Sequence, residues 1–356
     1  MRAYAARHNW PVVGITHDIS SPEVYNQLIL AHCGGLREND AIVCCSVATA
    51  QAVQRQITAV RAMLRPRHAT VKLPIIPYGI DISSIVKIPQ PIARSELCLS
   101  SNDFVFLYIG RICGITKADL ASLVLSFGTI FAGRSNVRLV LAGSTTSEGG
   151  EDGYVLHLRR LIAEKALDKQ VNIFANPDDT TKSKLYSSAN VFVSPANSLQ
   201  ESFGIALLEA MAYGLAIIAS DWDGYRDIVL HGKTGYLFNT RIFDNTIAHI
   251  QSAFETWPIL LEGVQRAVLL DFGECERFMI QCEGDRKTTE ALGCAGQRRV
   301  AQIFDWKVIL GQYRELWRNL VEMSARTKVE TSAIGLFPNS AKFFEGHASY
   351  SCPPED

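Results

Sequence analysis

The sequence predicts an α/β protein built on parallel sheets. Three observations carry that expectation. Short apolar β-rich runs alternate with helical stretches along most of the chain, the pattern of βαβ units. With 356 residues, 47% of them apolar and 20% charged, the chain can bury the cores of two domains. The stretch from Ala189 to Ser220 reads as strand, loop, helix and strand in immediate succession.

The elements follow in order. Residues 1–7 read as the end of a helix, residues 11–18 as a buried strand ending in His17 and Asp18, and residues 22–33 as a helix. Residues 41–46 form a strand, 47–64 a helix, and 72–81 a short strand ending in the turn Tyr78-Gly-Ile-Asp81. Pro89 and Pro91 mark residues 82–100 as an interdomain linker. A second α/β series then begins: strands over 104–110, 137–143 and 171–174, with helices over 117–131, 154–166 and 182–188. Gly149-Gly150 marks a surface loop. After Ser220 come a strand over 235–238 and a helix from Phe243. An amphipathic helix follows over 305–317, and an aperiodic tail, expected to be poorly ordered, runs from residue 325. The expected domains are 1–88 and 100–300, followed by a terminal helix over 301–324.

Net charge is −1 with no long run of one sign, which argues against binding nucleic acid by bulk electrostatics. The nine cysteines form no CxxC pair, so reduced thiols are expected and a zinc site is not. The run 203–220 is broken by Glu209 and Gly214 and reads as a buried helix and strand, not a membrane span. No GxGxxG follows a strand, which disfavours a dinucleotide-dependent dehydrogenase.

Chemistry concentrates in Glu201-Ser-Phe-Gly204-Ile-Ala-Leu-Leu-Glu209. A carboxylate inside an apolar run is costly unless it is hydrogen-bonded, so Glu209 is expected to have a partner. Glu201 falls in a loop at the carboxyl end of a parallel strand, where α/β proteins bind ligands. The helix start near Gly204 offers unpaired N–H groups and a positive dipole end suited to phosphate. Asp221-Trp222-Asp223 offers a carboxylate pair of the kind a hard cation takes, but it is not expected to hold a metal.

The combination resembles the group 1 family of retaining glycosyltransferases, over about residues 16–320. Four stretches carry the resemblance: Glu201-Ser-Phe-Gly204 through Glu209; Tyr108-Ile-Gly110-Arg111 with Lys117 downstream; Tyr78-Gly-Ile-Asp81; and Gly224-Tyr-Arg-Asp-Ile-Val-Leu-His-Gly232-Lys-Thr-Gly235. The resemblance implies the GT-B fold, two Rossmann-like domains of which the second binds a nucleotide-diphosphate sugar. By the same resemblance Glu209 binds the ribose hydroxyls, and Glu201, Ser202, Phe203, Gly204 and Ile205 approach the sugar and phosphates. Arg111 and Lys117 hold the diphosphate, and His17 faces the donor from the first domain. Arg111 can fork onto phosphate oxygens and Lys117 acts as a point charge, so no metal or other cofactor is expected.

The implied partners are a nucleotide-sugar donor and a glycan or lipid-linked acceptor. The implied setting is polysaccharide assembly in the cytoplasm, with peripheral contact at the inner face of the membrane. The sequence departs from the family in a short first domain without an opening strand and glycine-rich loop; Gly34-Gly35 follows a helix instead. The first domain is therefore expected to be incomplete and turnover low. Asp227 stands where the family usually has Glu. A non-catalytic donor-binding fragment or pseudoenzyme, and a nucleotide-sugar epimerase of the same fold, are the alternative readings.

Overall fold

Strands buried on both faces have no polar side to show, and the central runs of this chain are apolar at nearly every position. The computed structural model describes residues 10–17, 19–33, 36–64, 71–114, 117–145, 153–242 and 257–326. The chain divides into two units. The first comprises residues 1–44, 50–75 and 312–356; the second comprises residues 45–49 and 76–311.

In the first unit, β1 (Val13–Ile15) and β2 (Ala41–Val43) pair in parallel. Residues 72–81, expected as a strand, join the unit only through the isolated bridges Ala41↔Lys72 and Cys44↔Ile75. Pro74 and Pro77 remove two of the ladder donors a third strand would need. Helix α1 (Pro22–Cys33) and the later turns of α2 (Val47–Leu64) cover a small core that includes Leu28, Val53, Ile57 and Val71. The buried Asp40 carboxylate accepts from the Val12 and Arg37 amides, both at 2.8 Å.

The second unit is built on six parallel strands: β3 (Phe104–Ile109), β4 (Val137–Gly143), β5 (Val171–Ala175), β6 (Val191–Ser194), β7 (Ala216–Ser220) and β8 (Gly235–Phe238). Their spatial order is β5-β4-β3-β6-β7-β8. Alternate residues feed opposite cores: Phe104, Phe106 and Tyr108 point into one, Val105, Leu107 and Ile109 into the other. The first core is closed by α4 (Leu120–Phe131) and α5 (Gly153–Glu164), and the second by α6 (Asp179–Ser188) and α7 (Ile205–Tyr213).

Residues 82–100, expected as a linker, are packed into this unit instead. They contain α3 (Gln90–Glu96), whose buried Arg94 donates to Ser188 O at 2.9 Å, to Ser101 O at 2.6 Å and to Asn190 Oδ1 at 2.9 Å. A guanidinium with three acceptors can be buried where an unpaired one could not.

The short helix α8 (Tyr225–Ile228) and β9 (Thr240–Arg241) lead to α9 (Trp257–Ala267) and to β10 (Leu269–Leu270), which pairs back with β9; α10 (Phe272–Gly284) and α11 (Arg286–Arg299) follow. Asp271 and Asp285 cap the last two, accepting from the Glu274 and Thr288 amides. A π-turn over Val300–Phe304 leads into α12 (Trp306–Arg326). The expected helices at residues 1–7 and from Phe243, the Gly34-Gly35 and Gly149-Gly150 pairs, Asp18, and the tail beyond residue 326 lie outside the described residues. Cys44, Cys45, Cys98, Cys113, Cys275, Cys282 and Cys294 are thiols outside any disulfide.

Candidate functional site

The winding of the sheet decides where a ligand can enter. The chain runs outward from β3 to β4 and β5, then returns to lay β6 on the other side of β3. Connections leaving β3 and β6 therefore diverge and open a crevice at the carboxyl ends of the strands. A cleft of about 580 Å³ lies there. Its walls include Gly110 and Arg111 after β3, Gly143 and Ser144 at the end of β4, and Asn176 after β5. Tyr186 of α6 and Glu209 of α7 complete them.

Two glycines let the backbone close the floor of this cleft. Gly143 has φ +151°, and a Cβ on it would stand 1.5 Å from the Gly110 carbonyl oxygen. The Gly143 carbonyl accepts from the Asn176 amide at 2.8 Å, which ties the ends of β3, β4 and β5 together.

Arg111 is exposed in the cleft wall. Glu209 is half-buried and has the partner its apolar surroundings require: Tyr186 Oη donates to Glu209 Oε2 at 2.7 Å. Burial, and then the charge of Glu209, hold the Tyr186 hydroxyl well above its ordinary pKa, so it stays a proton donor.

Lys117 and Glu201 meet each other. Lys117 Nζ lies 2.9 Å from Glu201 Oε2, with both side chains mostly buried. Backbone pairing brings them together: Ala118 bridges Ala196, and the Asp119 amide donates to Pro195 O at 3.0 Å, lacing the loop before α4 to the loop after β6. Neither residue is among the described walls of the cleft.

Ser202 and Phe203 are buried and hold the loop in place. The Ser202 carbonyl accepts from Cys45 Sγ at 3.6 Å, and the Phe203 ring sits edge-on to Tyr78 at 5.4 Å. Gly204 takes φ +112° at the start of α7, with the Tyr225 ring 2.5 Å from where a Cβ would be. That close approach is open only to glycine. Ile205 is exposed on the first turn of α7. His17 is an exposed residue of the first unit.

The two aspartates of Asp221-Trp222-Asp223 have separate partners. Asp221 Oδ1 lies 3.7 Å from Arg226 Nε, while Asp223, at φ +43°, accepts from Ser46 Oγ at 3.3 Å. Asp227 Oδ2 accepts from the Val47 amide at 2.7 Å, capping the start of α2.

Burial pushes the Asp223 carboxyl up to about 7; the Ser46 hydrogen bond opposes this and the charge of Glu201 adds to it. A carboxyl raised in the folded state makes stability fall as pH rises, between the unfolded value of 3.8 and about 7. Asp223→Asn is therefore expected to stabilise the protein above pH 7, by on the order of 2 kcal/mol after solvent screening, and to change little at pH 4. Urea denaturation at pH 4 and pH 8 reads this difference, and an equal effect at the two pH values contradicts it.

A doubly wound parallel sheet with its cleft at the switch point defines an α/β protein that binds its ligand at the strand ends. Residues 90–262 match the family model described as "Glycosyl transferases group 1", so over this span the chain is similar to the group 1 glycosyltransferases. Its fold is that of the GT-B enzymes. Sucrose-phosphate synthase from Thermosynechococcus elongatus superposes with a TM-score of 0.62 at 21% identity, over 87% of this chain and 68% of that one. Anabaena HepE in complex with UDP gives a TM-score of 0.62 at 20% identity, over 91% and 75%.

Among curated relatives, the phosphatidyl-myo-inositol mannosyltransferase of Mycobacterium tuberculosis is 30% identical over 256 residues, 71% of this chain and 56% of its own. The lipopolysaccharide 1,2-N-acetylglucosaminetransferase of Salmonella typhimurium is 26% identical over 176 residues, 49% of this chain and 45% of its own. The chain spans about half the length of these curated relatives.

Of the residues singled out in the sequence, the cleft brings together Arg111 and Glu209. Sequence reasoning does not find Ser144, Asn176, Tyr186 and Tyr213, which also line it. Their one sequence signal is position: each lies at or after a strand end or on a helix flanking the cleft.

Proposed function

We propose that the protein is a retaining glycosyltransferase that moves a hexose from a nucleotide-diphosphate sugar to a glycan or lipid-linked acceptor. The observation that carries this reading is the convergence of Arg111 and Glu209 on one cleft at the switch point of the sheet. In this reading Glu209 accepts from the ribose hydroxyls and Arg111 forks onto the diphosphate. The Lys117–Glu201 pair, beside the start of α7, meets the leaving phosphate and the sugar. The bond from the anomeric carbon to the phosphate oxygen breaks as the acceptor oxygen attacks from the same face. The departing phosphate takes the acceptor proton, and cations and helix amides stabilise the charge it gains.

The relatives support the substrate classes. HepE has been solved with UDP and with UDP-glucose, and two curated relatives are named for phosphatidyl-myo-inositol and lipopolysaccharide. Work on such acceptors suits a cytoplasmic enzyme of polysaccharide or glycolipid assembly that meets the inner face of a membrane. No helix among the described residues is long and apolar enough to cross one.

Binding is proposed to need no metal, because Arg111 and Lys117 supply the counter-charge and Asp221 and Asp223 already have partners. Calorimetry with UDP-, GDP- and ADP-sugars should find one donor that binds equally well in excess EDTA. Affinity that collapses with chelator and returns with manganese would move the site to Asp221 and Asp223. Failure of every donor to bind would reject the reading.

A further inference from the structure

The partner of Glu209 is more than a buried hydrogen bond. One carboxylate oxygen, Oε2, is held by Tyr186 Oη at 2.7 Å; among the described residues Oε1 takes no hydrogen bond. Both residues line the cleft. Tyr186 is itself tightly placed. It is 3% exposed, stacks on Tyr213 at 4.9 Å and 18°, and stacks on Phe192 at 6.3 Å and 24°. Tyr213 is anchored in turn, its hydroxyl donating to Val86 O at 3.1 Å and its carbonyl accepting from Lys87 Nζ at 3.0 Å. A glutamate has three side-chain torsions, and a fixed donor on one oxygen removes most of that freedom before a ligand arrives. The other oxygen is then presented in one place, which suits a hydroxyl of defined position.

We propose that Tyr186 is a positioning residue that makes the cleft selective for ribose over deoxyribose, by holding Glu209 through its hydroxyl with the Tyr213 stack behind it. This rests on the reading that Glu209 accepts from the ribose hydroxyls of the donor nucleotide.

The test compares a nucleoside diphosphate with its 2′,3′-dideoxy counterpart by calorimetry. The base is whichever of UDP, GDP or ADP binds the unaltered chain. Tyr186→Phe keeps the ring and its stacks and removes only the donor. It should weaken the ribonucleotide roughly three- to tenfold and leave the dideoxynucleotide unchanged, so that the preference for ribose shrinks by the same factor. In a Glu209→Gln background, Tyr186→Phe should have a much smaller effect, the mark of two residues acting through one contact. Equal weakening of both nucleotides, or an unchanged ribose preference, overturns the proposal and leaves the glycosyltransferase reading standing. If no nucleoside diphosphate binds the unaltered chain, both fall together.

Discussion

Replacing Glu209 by alanine is expected to weaken nucleotide binding by roughly ten- to hundredfold, the cost of about 1.5–3 kcal/mol for a lost hydrogen bond to a charged group. The side chain reaches the cleft from the middle of α7, and Tyr186 already holds it on one side. Its removal takes away the proposed ribose contact and also leaves the buried Tyr186 hydroxyl without its acceptor. Glu201→Ala should act differently. Glu201 is paired with Lys117 in the loop ahead of α7, so its loss frees the cation that the proposed function places beside the diphosphate. Free nucleoside diphosphate should bind Glu201→Ala nearly as well as the unaltered protein, while discrimination among sugars on the donor falls. Calorimetry with the bare diphosphate and with two donor sugars separates these outcomes. Equal loss of free diphosphate binding in both variants would reject the division of labour.

Gly143→Ala is expected to destabilise the second unit by about 3 kcal/mol or more and to abolish ligand binding with it. A Cβ there would stand 1.5 Å from the Gly110 carbonyl oxygen and 2.6 Å from its carbon, so backbone and not a movable side chain would have to give. The backbone at φ +151° is also one that side chains rarely adopt. The displaced atoms belong to the loop that carries Arg111, and the Gly143 carbonyl holds Asn176 in the same wall. Gly133→Ala is the control. It has φ +79° with nothing within 4 Å of the new methyl, so it should cost only the ~1 kcal/mol of a left-handed residue. Denaturant midpoints that fall equally for the two variants would show that crowding at Gly143 is not what matters.

Much of the second unit is legible in the sequence. Strands such as Gly235–Phe238, and Val137–Gly143 with Arg138 as its one charged residue, appear where apolar runs predict them, because a strand covered on both faces is apolar at most positions. The helices Pro22–Cys33 and Val47–Leu64 also fall where they were expected. Where the sequence misleads, long-range bonding outweighs local signals. Prolines at 89 and 91 suggest a linker, yet Arg94 secures that segment through acceptors at positions 101, 188 and 190. The apolar run 72–81 suggests a strand, yet its prolines leave only two isolated bridges in the first unit.

The site divides along the same line. Glu201, Gly204 and Glu209 stand out in the sequence because a carboxylate in an apolar run and a glycine at a helix start break local patterns. So does Arg111, which follows a glycine at a strand end. Composition, spacing and periodicity thus determine the α/β class, the order of the strands along the chain and the two carboxylates that stand out against their apolar surroundings. Tertiary structure alone decides their partners. That Lys117 would meet Glu201, 84 positions away, that Tyr186 would hold Glu209, and that Asp223 would face Ser46 depends on which loops the winding of the sheet sets side by side. No local pattern encodes such pairings, because a hydrogen bond constrains two atoms in space and leaves the length of chain between them free.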